Sequence, residues 1–96
     1  MDFSYLENLT GNDDAVVRDI LRIFLEQAAE WRAKLSAPDK GWRDVIHTIK
    51  GASRGIGANA LGDVCERAEH GDPAGIADVL GSLDAVVGEV RAYLGG

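Results

Sequence analysis

A histidine with cationic residues at helical spacing is the most chemically suggestive feature of this 96-residue sequence. Lys50 follows His47 by three residues, Arg54 follows it by seven, and Arg43 precedes it by four. In a helix, residues three, four and seven positions apart share one face. The spacing therefore predicts a positive stripe around His47, on a chain whose formal net charge is −6.

Two glycines occur in the same stretch, Gly51 and Gly55. A glycine in a helix interior costs about 1 kcal/mol relative to alanine. The missing side chains would leave the imidazole of His47 uncovered and would let another molecule approach the backbone closely. We therefore predict that Gly51 and Gly55, together with Arg43 and Arg54, contact a partner.

These residue types indicate phosphoryl chemistry. A neutral imidazole nitrogen is a nucleophile near pH 7, and nearby positive charge disfavours its protonation and stabilises an attached anion. Lys50, one turn from His47, would place its ammonium group against phosphoryl oxygens. The sequence shows no cluster for metal binding, no nucleophile–base–acid triad and no second carboxylate for acid–base work. A histidine that acts alone, with the electrophile and metal supplied by another protein, is typical of a phosphoryl carrier.

Helical periods account for most of the chain. Four stretches show apolar residues at helical spacing, and they cover residues 17–35, 42–56, 61–68 and 72–94. Asn12 or Asp13 can cap the first of them, and Asp72-Pro73 is a start signal for the last. Because the connections are short, neighbouring helices should be antiparallel. We predict an all-α, up-and-down four-helix bundle as a single domain over residues 1–96. An additional short helix at the N-terminus could cover one flank of the bundle. Its apolar residues would be Phe3, Tyr5, Leu6 and Leu9.

Length, charge and cysteine content exclude several other classes. The chain is too short for a dinucleotide-binding enzyme with a substrate domain. No apolar run approaches the roughly 20 residues that span a bilayer, and the negative charge disfavours nucleic acid and anionic lipid. The one cysteine, Cys65, cannot form an internal disulfide, which suits a reducing compartment. We expect a cytoplasmic monomer with no nucleic-acid or membrane partner.

Residues 47–58 have the sequence HTIKGASRGIGA, and they are followed by Leu61, Cys65 and Glu69. This segment closely resembles the histidine phosphotransfer (HPt) domain family. The resemblance implies a four-helix bundle that relays phosphoryl groups between aspartates of receiver domains, or takes them from a sensor histidine kinase. It implies that His47 is the phosphorylated residue. It also implies that Lys50 stabilises the phosphoryl group and that Gly51 provides space beside it. It also implies a carrier rather than a stand-alone enzyme, with no cofactor of its own and the divalent cation held by the receiver.

Two alternatives remain open at the level of sequence. A bundle of this kind would also serve as an adaptor that docks signalling partners without phosphotransfer. Residues 51–57, GASRGIG, also resemble the glycine turn of nucleotide-binding short-chain dehydrogenases, in which residues 45–49 would form the preceding strand. The short length and the lack of a Tyr-x-x-x-Lys pair count against such a dehydrogenase fragment.

Overall fold

Five α-helices make up most of the chain in the computed structural model, which describes residues 1–95. In chain order they are α1 (Ser4–Leu9), α2 (Asp14–Ser36), α3 (Trp42–Gly55), α4 (Asn59–Glu69) and α5 (Ile76–Gly95), and a 3-10 turn at Pro73–Gly75 precedes α5. The four longer helices form a ring, because α2 and α4 each pack against both α3 and α5. The predicted four-helix bundle with an extra N-terminal helix is confirmed. Within residues 1–95, no helix is long and apolar enough to span a membrane.

The longest helix, α2, begins at a side-chain cap and buries one continuous stripe. The carboxylate of Asp13 accepts a hydrogen bond from the backbone N–H of Val16 at 3.2 Å, which satisfies one of the unpaired donors of the first turn. The buried residues of α2 are the six that recur at intervals of four and three, namely Val17, Leu21, Phe24, Ala28, Trp31 and Leu35. The predicted stripe is therefore the face that α2 turns to the core.

The turn between α3 and α4 contains only residues 56–58, so the two helices fold back on each other. Within it, Gly57 has a φ of +86°, a left-handed conformation that favours glycine. A Cβ at Gly57 would lie only 3.1 Å from the Tyr5 ring of α1. Gly57 therefore permits both the sharp turn and the packing of α1 against it.

The N-terminal helix covers its flank only in part. Leu6 is buried, and the Phe3 ring stacks on Tyr93 of α5 with the ring centroids 4.3 Å apart. Tyr5 and Leu9, which we expected to help cover this flank, are 52% and 65% exposed. A helix of six residues has fewer than two turns, so it cannot direct all of its apolar side chains to the core.

The stretches with high β propensity, residues 45–49 and 86–90, are both helical. In α5 the β-branched Val86 and Val90 are four residues apart and both face the core. Packing of this face outweighs the modest preference of such residues for strands. Because residues 1–95 contain no strand, the alternative of a dehydrogenase glycine turn is wrong.

Candidate functional site

Three pairs of side chains join α3 to α4 along one edge of the bundle. In order along α3 they are His47–Glu69, Lys50–Glu66 and Arg54–Asp63, and we call this set the α3–α4 ladder. From one pair to the next, the residue number increases along α3 and decreases along α4. The two helices are therefore antiparallel. Steps of three or four residues keep each set of side chains on one helix edge. The ladder thus brings the predicted acceptor and the predicted stabilising residue together with two carboxylates.

The imidazole of His47 faces solvent near the middle of α3, with 64% of the side chain exposed. Its Nδ1 atom lies 2.9 Å from Oε2 of Glu69. Because an ionised carboxylate can only accept a hydrogen bond, Nδ1 carries the proton that is donated. In the neutral ring the free lone pair is then on Nε2. The arrangement therefore leaves Nε2 as the ring nitrogen with an available lone pair.

Glu69 contacts both residues that the sequence singled out. Its Oε2 atom accepts from His47, and its Oε1 atom lies 2.9 Å from Nζ of Lys50. This second contact is an ion pair without hydrogen-bond geometry, and Oε1 is buried with no other partner. The Lys50 ammonium, followed by the His47 N–H, holds the pKa of Glu69 below its usual range against the opposing effect of burial. Glu69 is therefore ionised at neutral pH.

Two sequence-based interpretations of the surroundings of His47 are wrong. We expected no second carboxylate beside the histidine, and we expected cations to be its nearest charged neighbours. The group in contact with the ring is instead the carboxylate of Glu69, with its Oε2 atom 2.9 Å from Nδ1. Glu69 is 22 residues away in sequence and reaches His47 only because α4 folds back on α3. In the sequence, the one signal that Glu69 belongs to the site was its position at the end of the segment that resembles the HPt family.

Lys50 is mostly buried between α3 and α4, with 14% of its side chain exposed. Its Nζ atom donates a hydrogen bond to Oε2 of Glu66 at 2.7 Å and pairs with Glu69 at 2.9 Å. Glu66, followed by Glu69, raises the pKa of Lys50 above its usual value. The ammonium group is thus charged at neutral pH, but two carboxylates already compensate its charge.

Arg43 and Arg54 are exposed on α3, and both have partners within the chain. Arg43 donates a hydrogen bond to the carbonyl oxygen of Gly71 at 2.8 Å, and its guanidinium lies 4.3 Å from the centroid of the Trp42 ring. Arg54 lies across α4 at Gly62, where a Cβ would come within 2.9 Å of its Cγ atom. The predicted positive stripe is therefore a surface of mixed charge, because carboxylates of α4 lie against two of its cations, Lys50 and Arg54.

The two glycines leave bare backbone on the exposed side of α3. A Cβ at either Gly51 or Gly55 would meet no neighbouring group within 4 Å. Gly51 lies inside the helix as predicted, whereas Gly55 is the last helical residue. The predicted open space beside His47 is therefore present, although only one of the two glycines lies in the helix interior.

Three groups of the kind that bind metals come together next to the ladder. Glu66, Glu69 and His70 each bring one such atom within 4.8 Å of the other two. The Lys50 ammonium lies within 3 Å of both carboxylates, so a cation of the protein itself already balances part of their charge. Cys65 is fully buried below the ladder, and burial raises the pKa of its thiol to about 11. Cys65 is therefore a buried core residue of low reactivity.

Comparison with known proteins agrees with this geometry. The chain matches the Hpt domain family over residues 19–93, which include the whole α3–α4 ladder. It is similar to the histidine phosphotransferase ShpA from Caulobacter crescentus, with 46% sequence identity, a TM-score of 0.83 and coverage of 96% of this chain and 88% of that chain. No curated protein matches the sequence. The resemblance carried by residues 47–58 is confirmed: the chain belongs to the Hpt domain family and is a histidine phosphotransfer protein of phosphorelays.

Proposed function

We propose that His47 carries the phosphoryl group on Nε2, receiving it from a receiver-domain aspartate or a sensor histidine kinase and passing it on. The observation that carries this assignment is the exposed imidazole whose Nδ1 is held by Glu69 at 2.9 Å. The carrier returns to its starting state after each cycle and needs no cofactor of its own, so it is an intermediate of the relay rather than a stand-alone enzyme.

Transfer from an aspartyl phosphate starts with attack of the Nε2 lone pair on phosphorus. The Nε2–P bond forms while the P–O bond to the aspartate breaks, and the electron pair of that bond leaves with the aspartate carboxylate. Because Nδ1 keeps its proton, the ring becomes positively charged as the new bond forms. Glu69 already lies 2.9 Å from Nδ1, so an oriented carboxylate stabilises this charge without rearrangement.

Lys50 provides positive charge next to the phosphoryl group. Its Nζ atom pairs with the same Glu69 carboxylate that holds His47, so the ammonium is fixed close to the imidazole. An ammonium group has three N–H donors, and its two carboxylate partners leave at least one free. That donor is available to a phosphoryl oxygen.

The partner approaches over the bare backbone of α3. Gly51 and Gly55 let a receiver come close to Nε2, while the exposed Arg43 and Arg54 meet the acidic rim of the receiver site, which holds its own divalent cation. An unpaired Cys65 and a net charge of −6 support a cytoplasmic monomer whose partners are proteins rather than nucleic acid or membrane.

Incubation with a phosphorylated receiver domain tests the proposal. We expect the chain to acquire a phosphoryl group that is labile in acid and stable in base, as a phosphorus–nitrogen bond requires, and peptide mapping to place it on His47. A chain that binds the receiver but takes up no phosphoryl group would be the adaptor considered above.

Glu69→Gln should disturb the tautomer of His47 and slow its phosphorylation by roughly tenfold, the effect of losing one hydrogen bond to a charged group. A glutamine amide can either accept from Nδ1 or donate to it, so the proton is no longer confined to Nδ1. Long-range ¹⁵N–¹H NMR correlations report the tautomer, and a phosphorylation time course reports the rate. The control is Glu30→Gln, the same substitution at an exposed position of α2. An unchanged tautomer ratio and rate in Glu69→Gln would remove Glu69 from the mechanism.

A further inference from the structure

We propose that Glu66 limits how strongly Lys50 stabilises a phosphoryl group on His47, and thereby sets how readily the carrier gives that group up. The inference rests on the proposed roles of His47 and Lys50. It goes beyond them by assigning a function to Glu66 of α4, which is not among the residues that carry the resemblance to the HPt family.

The geometry separates the roles of the two carboxylates that share Lys50. Glu69 is 84% buried and is also held by His47, whereas Glu66 is 45% exposed and has no contact with the imidazole. Glu66 nevertheless makes the shorter contact with Nζ, 2.7 Å against 2.9 Å, and it alone accepts a hydrogen bond of good geometry from Lys50. Glu66 therefore acts on the site through Lys50.

The balance of charge shows the direction of the effect. Before any phosphoryl group arrives, a single ammonium, that of Lys50, faces the carboxylates of Glu66 and Glu69. A phosphoryl group adds up to about two negative charges and must share this ammonium with both carboxylates. Glu69 compensates by stabilising the positive ring of phosphorylated His47, but Glu66 makes no such contact. Its charge therefore weakens the hold of Lys50 on the phosphoryl group and favours release.

Glu66→Gln tests the inference because it removes the charge and keeps the shape. We expect phosphorylated His47 to hydrolyse two- to fivefold more slowly, and the equilibrium with a phosphorylated receiver to shift towards the carrier by roughly the same factor, the scale of an exposed ion pair. The matched control is again Glu30→Gln on α2, which should leave both quantities at the wild-type value.

Two further measurements separate this role from a merely structural one. In a Lys50→Ala background, Glu66→Gln should have no additional effect on the hydrolysis rate, because Glu66 acts through Lys50. An NMR titration of the Lys50 ammonium should show a lower pKa in Glu66→Gln than in the wild type, since Glu66 is the main cause of the raised pKa.

The outcomes also separate the inference from the proposed function. Normal labelling of His47 with equal hydrolysis rates in wild type and Glu66→Gln overturns the role of Glu66 alone. An effect of Glu66→Gln that persists without Lys50 also overturns it, because the charge would then act on the phosphoryl group directly. If the wild-type chain takes up no phosphoryl group at all, the proposed function fails and this inference fails with it.

Discussion

His47→Gln should abolish phosphorylation of the chain and leave the bundle folded. The glutamine side chain has no nucleophilic nitrogen, so no phosphorus–nitrogen bond can form at this position. Folding should be unaffected because His47 is 64% exposed and has one polar partner, Glu69, to which the glutamine amide can still donate. The measurement is transfer from a phosphorylated receiver, together with a far-UV circular dichroism spectrum and a thermal unfolding curve.

The chain offers a matched control, because it contains only one other histidine. His70 is exposed at the C-terminal end of α4, with its Nε2 atom 3.4 Å from Oε1 of Glu66. His70→Gln should therefore still be phosphorylated. Wild-type labelling of His47→Gln, or loss of labelling only in His70→Gln, would show that the acceptor is not His47.

Gly51→Leu should block phosphotransfer by steric exclusion and leave the fold intact. A Cβ at Gly51 meets no neighbouring group within 4 Å, and leucine favours an interior helical position over glycine by about 1 kcal/mol. We therefore expect an unfolding midpoint at or above that of the wild type. The leucine side chain would stand where the receiver must approach Nε2, and a displacement of about 1 Å can slow a positioned reaction by roughly 100-fold. Calorimetric titration measures the loss of affinity for a receiver, and a single-turnover assay measures the loss of phosphotransfer rate.

The same substitution at Gly88 of α5 is the control for Gly51→Leu. A Cβ at Gly88 also meets no neighbouring group within 4 Å, so the helix should again be stabilised. Gly88→Leu should bind the receiver and exchange phosphoryl groups at wild-type rates. Wild-type affinity and transfer in Gly51→Leu would instead place the docking face elsewhere on the bundle.

The helices could be predicted because their evidence is local. The six core positions of α2 follow from a repeat of four and three residues, and its start follows from the cap at Asp13. Neither depends on the identity of the neighbouring helix. The partial exposure of α1 could not be predicted, because the orientation of Tyr5 depends on its packing against Gly57.

The site was predictable along α3 but not across to α4. His47 and Lys50 stand out by type and spacing within one helix, whereas their partners depend on the register of α4, which the short turn and the packing at Gly62 determine. Once the helices are known to be antiparallel, a signal does exist. Glu69 follows Glu66 by three residues, which is the spacing between His47 and Lys50. In an antiparallel pair of helices this spacing places Glu69 opposite His47 and Glu66 opposite Lys50.

The contact between Arg54 and Gly62 has a consequence for the entropy of association. A free arginine side chain loses up to about 2 kcal/mol of rotamer freedom when it is immobilised. Here the stem of Arg54 lies in the space left by the missing Cβ of Gly62, and its guanidinium is 3.7 Å from Asp63. Much of that freedom is thus lost when the chain folds. A receiver that contacts Arg54 meets a cation already confined to a few rotamers, so less ordering opposes formation of the complex.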